Sequence, residues 1–137
     1  MERTLSIVKP DGVKKNLIGE VIRRFEQKGL RVAGLRLIQL SNEDARNFYI
    51  VHKERPFYES LTRFMSEGPI AVMVLQGENA IATVRETMGA TNYKDAAPGT
   101  IRADFATDIE RNVVHGSDSA KSVDYEIPFF FSSLDLH

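Results

Sequence analysis

The sequence predicts an α+β fold, an antiparallel sheet with helices packed on it, and three observations carry this. Strand-like and helix-like apolar patterns alternate along the chain, and some strand-like runs lie as close in sequence as hairpin neighbours do, which favours a sandwich over a doubly wound sheet. The chain has 137 residues, 42% of them hydrophobic, enough for one domain (1–137) with a core and too little for two. Pattern alone leaves the strand order open.

Thr4 to Lys9 alternates and carries Leu5, Ile7 and Val8, a strand that Pro10-Asp11-Gly12 ends with turn chemistry. Ile18, Val21, Ile22 and Phe25 form the stripe of a core-facing helix stopped by Gly29. Leu30 to Leu40 is again strand-like, and Ser41-Asn42-Glu43-Asp44 opens a helix to about Val51 with cap residues and first-turn acids. Pro56 suits the first turn of the next helix, whose apolar face is Leu61, Phe64 and Met65 and which Gly68-Pro69 breaks. The unbroken apolar run Ile70 to Leu75 reads as a buried central strand. Asn79 is placed to cap a helix carrying Ile81, Val84 and Met88. Gly89 to Phe105 reads as a long irregular excursion, the kind of loop that in a small domain is functional or disordered. Val113-Val114 is a short strand before His115-Gly116, and Ala120, Val123 and Ile127 mark a last helix leading into Phe129 to Phe131.

Composition narrows the function. Lys and Arg number 18 against 19 Asp and Glu, so no net field draws the molecule onto nucleic acid or an anionic membrane, and a charged ligand has to be held locally. The absence of cysteine removes thiolate nucleophiles and Cys-type zinc sites and fits a reducing compartment, with cytoplasm the expected location. The opening residues read as neither signal peptide nor anchor, and no window approaches the ~20 apolar residues of a membrane span.

Neither glycine-rich phosphate loop, G-x-x-x-x-G-K-[ST] or G-x-G-x-x-G, occurs, so phosphates have to be met by side chains. Arg85, Thr91 and Arg102 flank or lie in the irregular region, and arginine forks match phosphate oxygens bidentately, although loop arginines are also ordinary solvated surface. His115 is placed at a strand-to-helix junction, where turns expose a side chain. A histidine of ordinary pKa, ~6.5, offers a neutral imidazole near pH 7, a nitrogen nucleophile as well as a base; a hydrogen-bonded structural role stays open. His52 reads as a helix-end residue favoured by the dipole, and His137 as part of a frayed tail. Ser117 or Ser119 beside a histidine base would be a serine nucleophile, but the context is not G-x-S-x-G, and a serine ahead of a helix suits a cap better. Phe57 and Tyr49 fit stacking on a base or core packing, and Lys9 at a strand end is equally open.

The string Asn112-Val113-Val114-His115-Gly116-Ser117-Asp118 resembles the active-site signature of nucleoside diphosphate kinases, N-x-x-H-G-S-D. Thr4 to Gly12 resembles that family's T-x-x-x-x-K-P-D-G opening, and H-K-E-R-P-F-Y from His52 and P-G-T-I-R-A-D-F from Pro98 extend the likeness over nearly the whole chain. The resemblance implies a ferredoxin-like sandwich, a four-stranded antiparallel sheet covered by helices with the long excursion as one wall of the nucleotide site. It implies that His115 accepts the phosphoryl group while Lys9, Arg85, Thr91, Arg102 and Asn112 contact phosphates and sugar. Phe57 would stack on the base with Ile109 near its other face, Tyr49 would support the phosphate end beside Lys9, and Glu126 and Ser117 would orient the histidine. It further implies ping-pong turnover on nucleoside triphosphates and diphosphates with ATP as the main donor, and Mg2+ held chiefly by the nucleotide phosphates. The implied assembly is a homo-oligomer, a tetramer in preference to a hexamer, as for the shorter bacterial-type members.

Two positions depart from the family pattern. Tyr93 stands where many members have proline, which bears on loop rigidity, and Pro128 inside the last helical pattern is expected to bend or end that helix near Glu126. Of the rival classes, a nucleotide-binding regulatory module without turnover should have lost its histidine or arginines, yet His115, Arg85 and Arg102 are all present. A nucleic-acid binder using the sheet face needs a basic surface and paired aromatics on central strands, and neither is found.

Overall fold

A computed structural model describes residues 1–137. The elements run β1 (Glu2–Val8), α1 (Pro10–Lys14), α2 (Ile18–Gln27), β2 (Arg31–Ile38), α3 (Asn42–Phe48), α4 (Tyr58–Met65), β3 (Ile70–Gly77), α5 (Ala80–Met88), α6 (Ile101–Phe105), β4 (Val114–Gly116) and α7 (Ala120–Phe130). The strands form one antiparallel four-stranded sheet in the order β2-β3-β1-β4, the ferredoxin-like sandwich expected.

The unbroken apolar run of β3 is explained by its central place. Ile70, Val72 and Val74 point into one core with Leu5, Ile7 and the α3, α4 and α7 side chains, whereas Ala71, Met73 and Leu75 point into the other with Val21, Phe25, Val84 and Ile101. Both faces being covered, neither set of alternate residues is polar. On α2 the helix ends where Gly29 takes φ +86°, a left-handed conformation that glycine adopts without a side-chain clash. Ser41 closes a capping box on α3: its hydroxyl accepts from Asp44 N–H at 3.0 Å while its own N–H donates to the Asp44 carboxylate at 3.1 Å.

Several local readings are corrected. Pro10-Asp11-Gly12 begins α1 rather than a turn, because proline at the first helical position loses no bond that a helix would use. Pro56 precedes α4, which starts at Tyr58. Asn79 sits at the start of α5 with φ +50° and caps nothing; the Glu2 carboxylate, brought over from β1, accepts from Ile81 N–H at 2.8 Å instead. The Gly89–Phe105 excursion contains a 3-10 turn at Tyr93–Asp95 and helix α6. The last helix does not stop near Glu126 but continues through Pro128 to Phe130. Pro128 and Asp124 are both exposed, so water can satisfy the carbonyl left without a partner, and burial of Phe130 and Phe131 anchors the final turn. His137 is not frayed: its N–H donates to the Ala33 carbonyl at 2.8 Å.

Tyr93 opens the 3-10 turn, its N–H makes no backbone hydrogen bond, and Asn92 before it is extended (φ −81°, ψ 113°), the conformation a following proline requires. Tyr93→Pro is therefore expected to stabilise the protein by roughly 0.4 to 1 kcal/mol by restricting the unfolded chain. An unchanged or lower melting temperature at equal protein and nucleotide concentration would contradict this.

Candidate active site

The site is organised around β4, the short edge strand. Just before it, Val113 has φ +75° although it is β-branched and fully buried, and Val114 N–H donates back to the Asn112 carbonyl at 2.9 Å. This is a γ-turn in its rarer, strained form, at a cost of about 1–3 kcal/mol that the surrounding contacts have to offset. Beyond it His115 pairs opposite Ile7 of β1, with the Ser6 hydroxyl donating to the His115 carbonyl at 2.8 Å. His115 thus lies within a strand rather than at an exposed junction, and its side chain is only 18% accessible.

His115 Nε2 lies 2.7 Å from Glu126 Oε1, and the Ser117 hydroxyl donates to the same oxygen at 2.9 Å. A carboxylate only accepts, so Nε2 carries the ring proton and Nδ1 keeps its lone pair. Phe48 and Tyr49 meet the ring edge-on, at 5.5 and 5.9 Å between centroids, and fix its plane. With its hydroxyl committed to Glu126 and its side chain buried, Ser117 is not a nucleophile; Ser119 caps α7.

His115 opens onto a cavity of about 660 Å³ that also takes in Lys9, Tyr49, Arg85, Thr91, Arg102, Asn112 and Glu126. Arg102 is not a solvated loop residue. It lies on α6, 5% exposed, and its guanidinium donates to the carbonyls of Val114 (2.7 Å), Gly89 (3.2 Å) and Asn112 (3.4 Å). Burial, then the neighbouring Arg85, lower its pKa to about 10, still charged at neutral pH. Arg85 on α5 is more exposed and donates to the Gly116 carbonyl at 3.2 Å. Lys9 Nζ donates to Asn112 Oδ1 at 2.9 Å, and burial followed by the Arg102 charge lowers its pKa to about 8, against the opposing influence of Asp11 and Glu110. The Tyr49 hydroxyl is buried with no partner in the chain, burial pushes its pKa up and keeps it neutral, and the residue lines the cavity. A cluster of three cations, two of them buried, with one unpartnered hydroxyl beside a histidine suits a polyanion.

Phe57 and Ile109 are half-exposed and line an adjoining cleft with Tyr93, rather than the histidine cavity itself. His52 lines the cavity, its ring 5.4 Å from that of Phe57, and so joins the two. The helix-end reading of His52 missed this, as the sequence reading missed Asp118 and Lys121 at the rim; Asp118 could have been found, since it closes the N-x-x-H-G-S-D string. No group of three or more His, Asp or Glu side chains stands close enough to hold a metal ion by itself. No helix is long and apolar enough to cross a membrane.

The family model described as nucleoside diphosphate kinase matches residues 2–136. The chain is 60% identical over 136 residues to the nucleoside diphosphate kinase of Desulforapulum autotrophicum, covering 99% of each, and 62% identical to that of Desulfosudis oleivorans, covering 99% of this chain and 98% of the relative. Among solved structures it is similar to the Aquifex aeolicus nucleoside diphosphate kinase, with TM-score 0.97 and 47% identity over 99% of each chain. A halophilic nucleoside diphosphate kinase from Halobacterium salinarum in complex with CDP matches with TM-score 0.96 and 42% identity, over 99% of this chain and 91% of that one. The chain belongs to the nucleoside diphosphate kinase family, and it is a phosphotransferase that moves the terminal phosphoryl group of a nucleoside triphosphate to a nucleoside diphosphate.

Proposed function

We propose that the single domain 1–137 works by ping-pong turnover through a phosphohistidine on His115, donor and acceptor nucleotides taking turns in one site. The observation that carries this is the 2.7 Å contact of His115 Nε2 with Glu126, which leaves Nδ1 as the free nucleophile. In the first half-reaction Nδ1 attacks the terminal phosphorus in line, the N–P bond forms, and the bond to the bridging oxygen breaks with its electron pair leaving on the diphosphate. Nε2 keeps its proton on Glu126 throughout, and Ser117 holds that carboxylate. The second half-reaction is the reverse, onto a different diphosphate. Incubation with a triphosphate labelled at the terminal phosphate should leave the protein carrying an acid-labile, alkali-stable label; protein that retains none would sink the mechanism.

Lys9, Arg85, Thr91 and Arg102 hold the phosphates in this reading, with Tyr49 donating alongside Lys9, and Lys9 and Asn112 meet the sugar. Charged donors already fixed against backbone carbonyls neutralise the equatorial oxygens without reorganising, where phosphoryl transfer gains most. Mg2+ fits only as an ion carried in by the nucleotide phosphates, given the lack of a carboxylate cluster, and supplies further charge neutralisation there. ATP is the main donor. A cytoplasmic homo-oligomer, a tetramer in preference to a hexamer, is the assembly that goes with this reading. Leu35 and Leu37, 52% and 65% exposed on the edge strand β2, are the apolar surface that such an assembly would cover.

Base selection should be poor, because the cleft offers a base the Phe57 ring and the Ile109 side chain, and stacking accepts every base. Binding of CDP by the Halobacterium salinarum relative is in keeping with this. Purine and pyrimidine diphosphates are expected to agree in kcat/KM to within about a hundredfold, roughly 2.7 kcal/mol, and a wider gap would reveal an edge-reading contact.

A further inference from the structure

An uninterrupted strand puts residues three apart on opposite faces, so Asn112 and His115 would not share a cavity if the chain were simply extended. They do share one, because the γ-turn at Val113 intervenes. A buried β-branched residue does not hold φ +75° unaided, and the restraint comes from the far end of the opening T-x-x-x-x-K-P-D-G string. Asp11 Oδ2 accepts from Val113 N–H at 3.0 Å, and Lys9 N–H donates to the Val113 carbonyl at 2.7 Å, so the peptide groups on both sides of Val113 are gripped from the β1–α1 junction. The close approach also needs Gly12, where an added Cβ would come within 2.8 Å of Val8 Cγ1 and 3.0 Å of Val113 Cγ1. Asp11 is buried, and its other oxygen is shielded with no partner, so this carboxylate makes no ligand contact of its own.

We infer that Asp11 is a positioning residue of phosphoryl transfer: its bond to Val113 N–H holds the γ-turn that brings Asn112 and the His115 imidazole to one nucleotide. This rests on His115 being the nucleophile. The turn also carries the Asn112 and Val114 carbonyls that receive the Arg102 guanidinium, so one restraint sets the placement of the nucleophile, of a buried phosphate ligand and, through Asn112 Oδ1, of Lys9 Nζ. Lys9 and Asp11, two residues apart, then divide the work, one at the nucleotide and one behind the turn.

The test compares the full-length wild type with Asp11→Ala, which removes the acceptor, and Asp11→Asn, whose amide oxygen can still accept from Val113 N–H. Phosphoenzyme formation is followed in single turnovers at saturating ATP, with nucleoside diphosphate binding, thermal melting and the His115 ring nitrogen resonances measured alongside. Asp11→Ala is expected to slow phosphoenzyme formation by roughly thirtyfold or more, since small misplacements of reacting groups cost on this scale, with Kd for the diphosphate changed much less and the His115 resonances shifted. Asp11→Asn is expected to stay within about threefold of wild type, because geometry rather than charge is being supplied. A folded Asp11→Ala protein with an unimpaired rate, or a folded Asp11→Asn protein as slow as the alanine variant, overturns the inference. If the alanine variant does not melt cooperatively, the asparagine variant decides alone: a folded protein slowed more than about tenfold overturns the inference, and one near wild type sustains it. A wild type that takes up no label at His115 would instead overturn the phosphohistidine mechanism on which the inference rests.

Discussion

His115→Ala is expected to abolish the phosphoenzyme and to lower transfer by at least about 10⁴-fold, roughly 5.5 kcal/mol of barrier, while nucleotide binding is largely kept. The loss is that large because His115 is the imidazole whose Nε2 is held by Glu126 with Nδ1 left free, and its neighbours are poor substitutes: there is no cysteine, Ser117 is buried with its hydroxyl on Glu126, and Lys9 is held by Asn112. Binding survives because Arg85, Thr91 and Arg102 stand on other elements, and the fold survives because Glu126 still receives the Ser117 hydroxyl. Wild-type protein should give parallel double-reciprocal lines when both nucleotides are varied, as expected of two half-reactions in one site. Intersecting lines, or transfer by the alanine variant within about tenfold of wild type, roughly 1.4 kcal/mol, would rule out this mechanism.

The second large effect is expected at Lys9. Lys9→Met keeps the length of the side chain and removes a buried charge from the place where phosphoryl charge develops, and kcat/KM should fall by about 10² to 10³, or 2.7 to 4 kcal/mol. Relief of the desolvated ammonium and loss of the donor to Asn112 Oδ1 act on stability in opposite directions, so the melting temperature should move far less than the activity. Since kcat/KM reports groups of the free enzyme, a Lys9 pKa of about 8 predicts that wild-type kcat/KM declines as pH rises through that value, a limb that Lys9→Met should lack. The same shift has a stability counterpart. An unfolded lysine keeps its proton to about pH 10.4, whereas the folded one gives it up near 8, so the unfolded chain binds more protons between these values and the Lys9 contribution to ligand-free stability rises with pH across that window. A kcat/KM profile flat to pH 10 in wild type would show that Lys9 is not the charge on which transfer depends.

Much of this was legible in the sequence because it is local. The apolar stripe of Val21 and Phe25, the helix start capped at Ser41 and the unbroken run of β3 are each set by neighbours within a few residues, and each forms as its pattern predicts. The candidate site residues came by another route: the resemblance of N-x-x-H-G-S-D and the flanking strings to a known family assigned roles that spacing alone left open, and the structure brings His115, Lys9, Tyr49, Arg85, Thr91, Arg102, Asn112 and Glu126 to one cavity. Where local rules failed, a distant contact overrode them. Pro128 does not end α7 because Phe130, against Phe48 of α3, and Phe131 are buried in the core, and Asn79 does not cap α5 because Glu2 arrives from β1.

By itself, then, the sequence set the alternation of strands and helices and, through the resemblance its motifs carry, the candidate residues for the chemistry. Only the tertiary structure decided the strand order β2-β3-β1-β4, the burial that lowers the Lys9 and Arg102 pKa values, the left-handed Val113, and which nitrogen of His115 stays free. All of these depend on contacts between different elements, from separations of 102 positions for Asp11 and Val113 and 103 for Lys9 and Asn112 down to 11 for His115 and Glu126. Local propensity is worth a few tenths of a kcal/mol per residue, while a buried charge or a strained backbone is worth several times that, so wherever the two compete the long-range contact wins.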